Sequence, residues 1–182
     1  MGGSGPNLLP NFVGFGQKSG IYWALNKDTG DVIWSSFVGP GGTLGGIEWG
    51  TATDGQRIYA AIGNNGHIPY ALANNGPTIT WGSWAALDVA TGRIIWQIPD
   101  PTSGAIDTGS VTVANGVVYA GSYSGFMYGL DAKTGTQLFS FQSGGSVIDG
   151  PSIAGQFVYW GSGYAHIPPG TPNNKLFAFA LH

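Results

Sequence analysis

One unit is written repeatedly along these 182 residues, and it constrains the fold more than any single side chain does. Its clearest copies are Tyr22-Trp23-Ala24-Leu25-Asn26 leading to Thr29-Gly30 and Trp34, Trp84-Ala85-Ala86-Leu87-Asp88 leading to Thr91-Gly92 and Trp96, and Met127-Tyr128-Gly129-Leu130-Asp131 leading to Thr134-Gly135 and Phe139. In each, the Thr stands four residues after the Leu and the aromatic five after the Thr. Between copies the spacing varies, with 62 residues from Thr29 to Thr91 and 43 from Thr91 to Thr134. A period near 43 with one unit enlarged by the difference of 19 residues is the pattern of a repeat array carrying one long loop. Four short strands per unit suit the blade of a β-propeller.

The turns set the strand boundaries. Asp54-Gly55 separates Thr51-Ala52-Thr53 from Arg57-Ile58-Tyr59-Ala60, and Asn115-Gly116 separates Val111-Thr112-Val113 from Val117-Val118-Tyr119-Ala120. Both dipeptides accept the positive φ that a two-residue hairpin requires, so they join the inner two strands of a blade. A fourth copy places Ala154-Gly155 between Ser152-Ile153 and Phe157-Val158-Tyr159-Trp160, has Leu176-Phe177-Ala178-Phe179 as its third strand, and shows no outer strand after Leu181. The first copy enters near Phe12-Val13-Gly14-Phe15 without a clear inner hairpin. The fold class is therefore all-β: a β-propeller of four-stranded antiparallel blades, about four of them, read as part of an eight-bladed ring. A complete four-bladed ring closed by residues 6–15 is the alternative. Residues 1–182 form one domain, with 1–5 as a flexible start. Trp34 and Trp96, at their fixed place after Thr-Gly, should dock between neighbouring blades.

With 33 Gly, 11 Pro and 24 Phe, Trp and Tyr residues, the composition is that of turns and strands. A net charge of −3 carried by only 15 charged side chains excludes the basic surface that nucleic-acid binding needs. The absence of cysteine excludes disulfides and zinc-thiolate sites. No apolar run is long enough to span a membrane, and Met1-Gly2-Gly3-Ser4-Gly5 has no leader character, which leaves a cytosolic chain or one whose N-terminus has been removed.

Beyond the repeat, Gly16-Gln17-Lys18-Ser19-Gly20-Ile21-Tyr22-Trp23-Ala24-Leu25, the Gly-rich stretch from Gly39 to Gly50, and Ser110-Val111-Thr112-Val113-Ala114-Asn115-Gly116-Val117-Val118-Tyr119-Ala120-Gly121-Ser122 resemble the C-terminal half of polyvinyl alcohol dehydrogenase-like proteins. Those belong with the pyrroloquinoline quinone (PQQ) dependent alcohol dehydrogenases, which are eight-bladed propellers. The resemblance covers nearly all of residues 5–181. It implies an alcohol substrate, PQQ as cofactor with calcium in the intact protein, and a periplasmic or secreted parent. It also implies cofactor contacts at three positions. Lys18 matches the cation that touches the quinone oxygens, where positive charge stabilises the charge developing on reduction. Gly45-Gly46-Ile47-Glu48-Trp49 matches a Gly-Gly-x-Asn-Trp motif, with Trp49 as the aromatic at the cofactor. Glu48 departs from the motif, because an ionised carboxylate cannot donate to a quinone oxygen as an amide does.

The same resemblance places the family's catalytic base, an Asp of an Asp-x-Asp motif, upstream of Met1, and the calcium ligands further upstream. An isolated chain without them is expected to be inactive. A non-catalytic propeller acting as a binding or assembly scaffold is the alternative function, and pairing with the other half of the ring or with a second copy is the expected partnership. His67-Ile68-Pro69 and His166-Ile167-Pro168 repeat a tripeptide but offer too few ligands for a metal. Asn64, Asn65, Asn74 and Asn75 read either as a substrate entrance or as ordinary polar loop. Asp107 and Asp149 precede inner strands and face either the channel or a turn.

Overall fold

The computed structural model describes residues 3–180, and among them there is no helix. Short strands instead fill four radial sheets. The first blade is β2 (Asn7–Leu8), β3 (Phe12–Gly16), β4 (Ile21–Asn26) and β5 (Val32–Phe37), paired in that order, preceded by the two-residue β1 (Ser4–Gly5) and followed by β6 (Trp49–Gly50). The second comprises β7 (Ala52–Thr53), β8 (Arg57–Ile62), β11 (Ser83–Asp88) and β12 (Ile94–Pro99), with the small hairpin β9 (Tyr70–Ala71) and β10 (Thr78–Ile79) inside its long insertion. The third is β13 (Thr112–Ala114), β14 (Val117–Gly121), β15 (Phe126–Asp131) and β16 (Gln137–Gln142). The fourth has three strands, β17 (Ser152–Ala154), β18 (Phe157–Ser162) and β19 (Lys175–Ala180). All pairing within blades is antiparallel, as the hairpin turns dictate.

Two expectations change at the chain's start. The first blade does have an inner hairpin: β2 pairs with β3 and the Leu9 amide donates to the Phe12 carbonyl at 2.9 Å. Pro10 and Asn11 close it, a turn chemistry less conspicuous than Asn-Gly. Of the segment 1–5 expected to be a flexible start, residues 1–2 lie outside the described residues and Ser4–Gly5 form β1, which pairs in parallel with β6. That pairing belongs to the axis of the propeller. Ser4 lies opposite Trp49 and Gly5 opposite Gly50, then the Val111 amide donates to Gly50 and the Ser110 amide to Ile148, so the innermost backbones of successive blades bond to one another. Counting three residues back from the partners of Gly14, Tyr59, Tyr119 and Tyr159 gives one equivalent position per blade: Ser4, Trp49, Gly109 and Asp149.

Blades are held together by the repeated aromatic. The Trp34 indole donates to the Val89 carbonyl of the second blade at 3.2 Å, and Trp96 donates to Ala132 of the third at 3.1 Å. In each case the ring lies on the glycine of the next Thr-Gly turn, where a Cβ on Gly92 would strike Trp34 and one on Gly135 would strike Trp96. Both glycines also have positive φ, 71° and 74°. The recurring Asp explains the rest of the turn, since the Asp88 and Asp131 carboxylates accept from the amides two and three residues on and from the Thr hydroxyl. Around each indole the facing sheets bury an apolar cluster, Ile58, Ala60, Ile62 and Leu87 against Tyr22 and Ala24, then Val118, Ala120 and Leu130 against Tyr59, Trp84 and Ala86. Gly30 has the same backbone, with φ of 80°, but no atom near its would-be Cβ, because no described blade precedes it.

A second tie joins blades two and three. Asp100, just after β12, and Asp107, in the lead-in to β13, are both fully buried and face one another, with Asp107 so close to Gly82 that a Cβ there would meet its carboxylate. Apart from the Thr102 amide on Asp100 Oδ1, their oxygens find no hydrogen-bond donor. Burial first, then the neighbouring Asp100, hold the Asp107 pKa well above the usual carboxylate range.

Two predictions follow from these contacts. Gly92→Ala and Gly30→Ala impose similar backbone strain, so the difference between them isolates the seat of the indole; in urea unfolding Gly92→Ala should cost about 1–3 kcal/mol more than Gly30→Ala. Equal losses would show that the contact carries no stability. The raised Asp107 pKa means that the folded chain holds a proton the unfolded chain releases, so this site's contribution falls as pH rises from the ordinary carboxylate pKa to the folded one. Asp107→Asn should therefore gain on the parent protein in thermal unfolding as pH is raised from about 4 to 7. A pH-independent difference would show that the Asp107 pKa is not raised by folding.

Candidate functional site

Lys18 sits in the tight turn between β3 and β4, closed by the Gly20 amide on Gln17 O at 2.9 Å with Gly20 at φ 82°. The Gly-rich loop between the first and second blades wraps over this turn. Gly42 N donates to Lys18 O at 3.0 Å and Ile47 N to Gln17 O at 3.0 Å, while a Cβ on Gly41 or Gly46 would collide with the Lys18 backbone. That approach is why the loop is glycine-rich. It also fixes the lysine side chain: Nζ donates to the Thr43 carbonyl at 2.9 Å and stands 3.3 Å from Glu48 Oε1.

The lysine side chain is 39% exposed, whereas Glu48 is 2% exposed. Burial pushes the Glu48 pKa up and the Lys18 charge opposes that shift. Glu48 Oε1 accepts no well-directed hydrogen bond, so its contact with Lys18 is one of charge. The structure thus brings Lys18 and Glu48 together, with the carboxylate beneath the ammonium.

Trp49 goes the other way. It adopts φ of 45°, a left-handed conformation uncommon for a side-chain-bearing residue, and the reversal directs Glu48 into the body and the indole outward, leaving it 38% exposed. Its ring stands edge-on to Tyr164 with centroids 5.7 Å apart. The two rings line a cleft of about 680 Å³ at the channel, shared with Ser110, Asp149, Ser162 and Asn173. Asp149 is anchored through its backbone carbonyl by the Trp160 indole at 2.8 Å, and partial burial raises its carboxyl pKa. Lys18 opens into a separate concavity of about 480 Å³ with Gln17, Ser19, Gly42 and Thr43.

Several sequence candidates resolve into structure. Asp149 faces the cleft, but Asp107 does not. Asn64 is buried and pins its loop through reciprocal bonds with Ile68, and Asn74 and Asn75, both at positive φ, turn the chain between β9 and β10. His67 Nδ1 contacts the Thr80 carbonyl, and His166 stacks edge-on to Tyr164. Among the described residues no three His, Asp or Glu side chains are grouped to hold a metal. Sequence reasoning missed Tyr164, which comes from the long β18–β19 loop, and the buried Thr108 and Tyr123, whose hydroxyls have no partner. No local pattern marks them.

Residues 80–167 match the family profile described as outer membrane protein assembly factor BamB. Over 205 aligned residues the chain is 33% identical to a polyvinylalcohol dehydrogenase of Sphingopyxis sp. (strain 113P3), covering 93% of this chain and 30% of the relative. A polyvinylalcohol dehydrogenase of Pseudomonas sp. is 32% identical with the same coverage. The chain therefore spans about 30% of the length of these curated relatives. Among solved structures, the quinohemoprotein alcohol dehydrogenase of Comamonas testosteroni superimposes with a TM-score of 0.71 at 16% identity, over 94% of this chain and 30% of that one, which establishes the shared fold. Repeated blades, turn chemistry and relatives thus agree: over nearly all of its length the chain is similar to the polyvinyl alcohol dehydrogenases, which supports a place in the PQQ-dependent alcohol dehydrogenase family.

Proposed function

We propose that this chain supplies one wall of the cofactor site of a quinoprotein that oxidises an alcohol. The observation that carries this reading is the placement of Lys18, an accessible ammonium fixed by Thr43 O and by Glu48, whose next residue in sequence, Trp49, exposes its indole to the cleft at the channel. PQQ is a flat anionic quinone, and the chain's residues suit it in kind: Trp49 offers an aromatic ring in a cleft with the volume for a planar multi-ring molecule, and Lys18 offers a cation in the concavity of its own turn. Bound PQQ would supply the two-electron acceptor that an alcohol carbon requires.

The protein's own part is electrostatic. Lys18 would hold positive charge against a quinone oxygen as that oxygen gains negative charge, and its tether to Thr43 O keeps the ammonium from swinging into solvent. Glu48 acts as a positioning residue. From beneath, its carboxylate holds Nζ in place without occupying the accessible side, and the amide expected at this motif position would hold it less strongly. Polyvinyl alcohol, the substrate in the relatives' names, is the substrate class we assign to the parent enzyme.

A scaffold role is the second reading. Its support is the match of residues 80–167 to the assembly-factor profile, a region that includes neither Lys18 nor Trp49.

Titration of the protein with PQQ, followed by quenching of tryptophan fluorescence, separates the two. The expected result is saturable quenching, weakened about tenfold in Lys18→Ala through loss of a charged hydrogen-bonding partner. Glu48→Gln should weaken it less and keep the fold. No saturable quenching, or an identical curve for Lys18→Ala, would refute the cofactor assignment and leave the scaffold.

A further inference from the structure

The second blade departs from its neighbours between its middle strands. In the first and third blades those strands are joined by residues 17–20 and 122–125, whereas the second uses residues 63–82. Most of that segment folds back on its own blade. Asn74 Nδ2 donates to the Ile95 carbonyl at 2.9 Å, the Ala73 amide to the Gln97 side chain at 3.0 Å, and the Trp81 indole to the Asp100 carbonyl at 2.9 Å. Its first residues instead reach the Gly-rich loop that lies over Lys18.

The Gly63 amide donates to the Gly46 carbonyl at 3.0 Å and the Asn65 amide to the Leu44 carbonyl at 3.4 Å. A Cβ on Gly63 would collide with that Leu44 carbonyl, so the approach requires glycine. Thr43 therefore stands between two anchors. On one side the Gly42 amide is bonded to Lys18 O, and on the other Leu44 O is bonded by Asn65 N. The Thr43 carbonyl held between them is the acceptor of the Lys18 ammonium.

Asn64, set between the two donors, is fully buried and has φ of 45°, a left-handed backbone that Asn adopts more readily than most residues. Its side chain spends both functions on one residue: Nδ2 donates to Ile68 O and Oδ1 accepts from Ile68 N, each at 3.0 Å. The Asn64 carbonyl accepts the His67 amide at 3.0 Å. These bonds close residues 64–68 on themselves and leave the flanking amides of Gly63 and Asn65 for the loop.

We propose that Asn64 is a positioning residue for Lys18. By pinning residues 64–68 it holds the Asn65 amide on Leu44 O, which sets the Thr43 carbonyl and, through it, the ammonium. The inference rests on the reading of Lys18 as the cation beside a quinone. It gives the enlarged second blade a part in that site although none of residues 63–82 lines the Lys18 concavity.

PQQ titration followed by tryptophan fluorescence tests this as a cycle of variants. Asn64→Gly keeps the left-handed backbone free of strain and removes only the side-chain bonds; it should weaken PQQ binding about three- to tenfold. In a Lys18→Ala background the same substitution should change affinity by less than about twofold, since the residue it acts through is gone. Asn74→Gly, at the far turn of the same segment, should leave affinity as it is. Amide exchange on the unsubstituted protein needs no variant: saturation with PQQ should slow Gly63 and Asn65 together with Gly42. Equal losses from Asn64→Gly with and without Lys18, an affinity untouched by it, a like loss from Asn74→Gly, or no slowing at Gly63 and Asn65 would each overturn the positioning role alone. No saturable binding by the unsubstituted protein would overturn the cofactor reading and this role with it.

Discussion

An indole lying on a glycine is the contact from which the remainder of this structure follows. Trp34 on Gly92 and Trp96 on Gly135 fix both the distance and the angle between neighbouring sheets, because the ring is flush with backbone and its N–H is spent on a carbonyl of the same turn. Burying a tryptophan contributes several kcal/mol, and the hydrogen bond adds a direction that hydrophobic burial lacks. Once the outer rims are set, the inner strands meet at the axis closely enough to bond to one another. The site then inherits its geometry from the rim, well away from the contact that determines it.

At the site itself, local backbone chemistry does what the blades cannot. Glycines at 41 and 46 let the inter-blade loop press onto the Lys18 turn, and the left-handed conformation of Trp49 splits two adjacent residues between two environments. One enters the protein as an acid beneath an ammonium, and the other reaches the channel as an aromatic face. Such a strained position is typical of a site where orientation matters more than local stability.

Much of the fold was legible in the sequence because its determinants are short-range. Asp54-Gly55, Asn115-Gly116 and the Asp-x-x-Thr-Gly turns declare themselves within a few residues, and the fixed interval to Trp34 and Trp96 reveals their docking before any coordinates. The inner hairpin of the first blade was not legible, since Pro10-Asn11 lacks the glycine that marks the others. The candidate site was legible only in part. Lys18 and Trp49 were found through resemblance, whereas the burial of Glu48 depends on the φ of its neighbour, and Tyr164 arrives from a loop more than a hundred residues away. Asp107 could be read only as facing the channel or a turn, because its burial beside Asp100 comes from a long-range contact that leaves no trace in a one-dimensional pattern.

The equivalent position at the head of each inner strand has a wider meaning. Ser4, Trp49, Gly109 and Asp149 occupy the same register in four successive blades, yet their side chains are as unlike as a hydroxyl, an indole, a hydrogen and a carboxylate. Nothing in the rim contacts constrains that position, so it can vary while the scaffold stays constant. A channel of this type works as a dial with one letter per blade. A substitution there changes what the channel presents while the rim contacts between blades stay as they are.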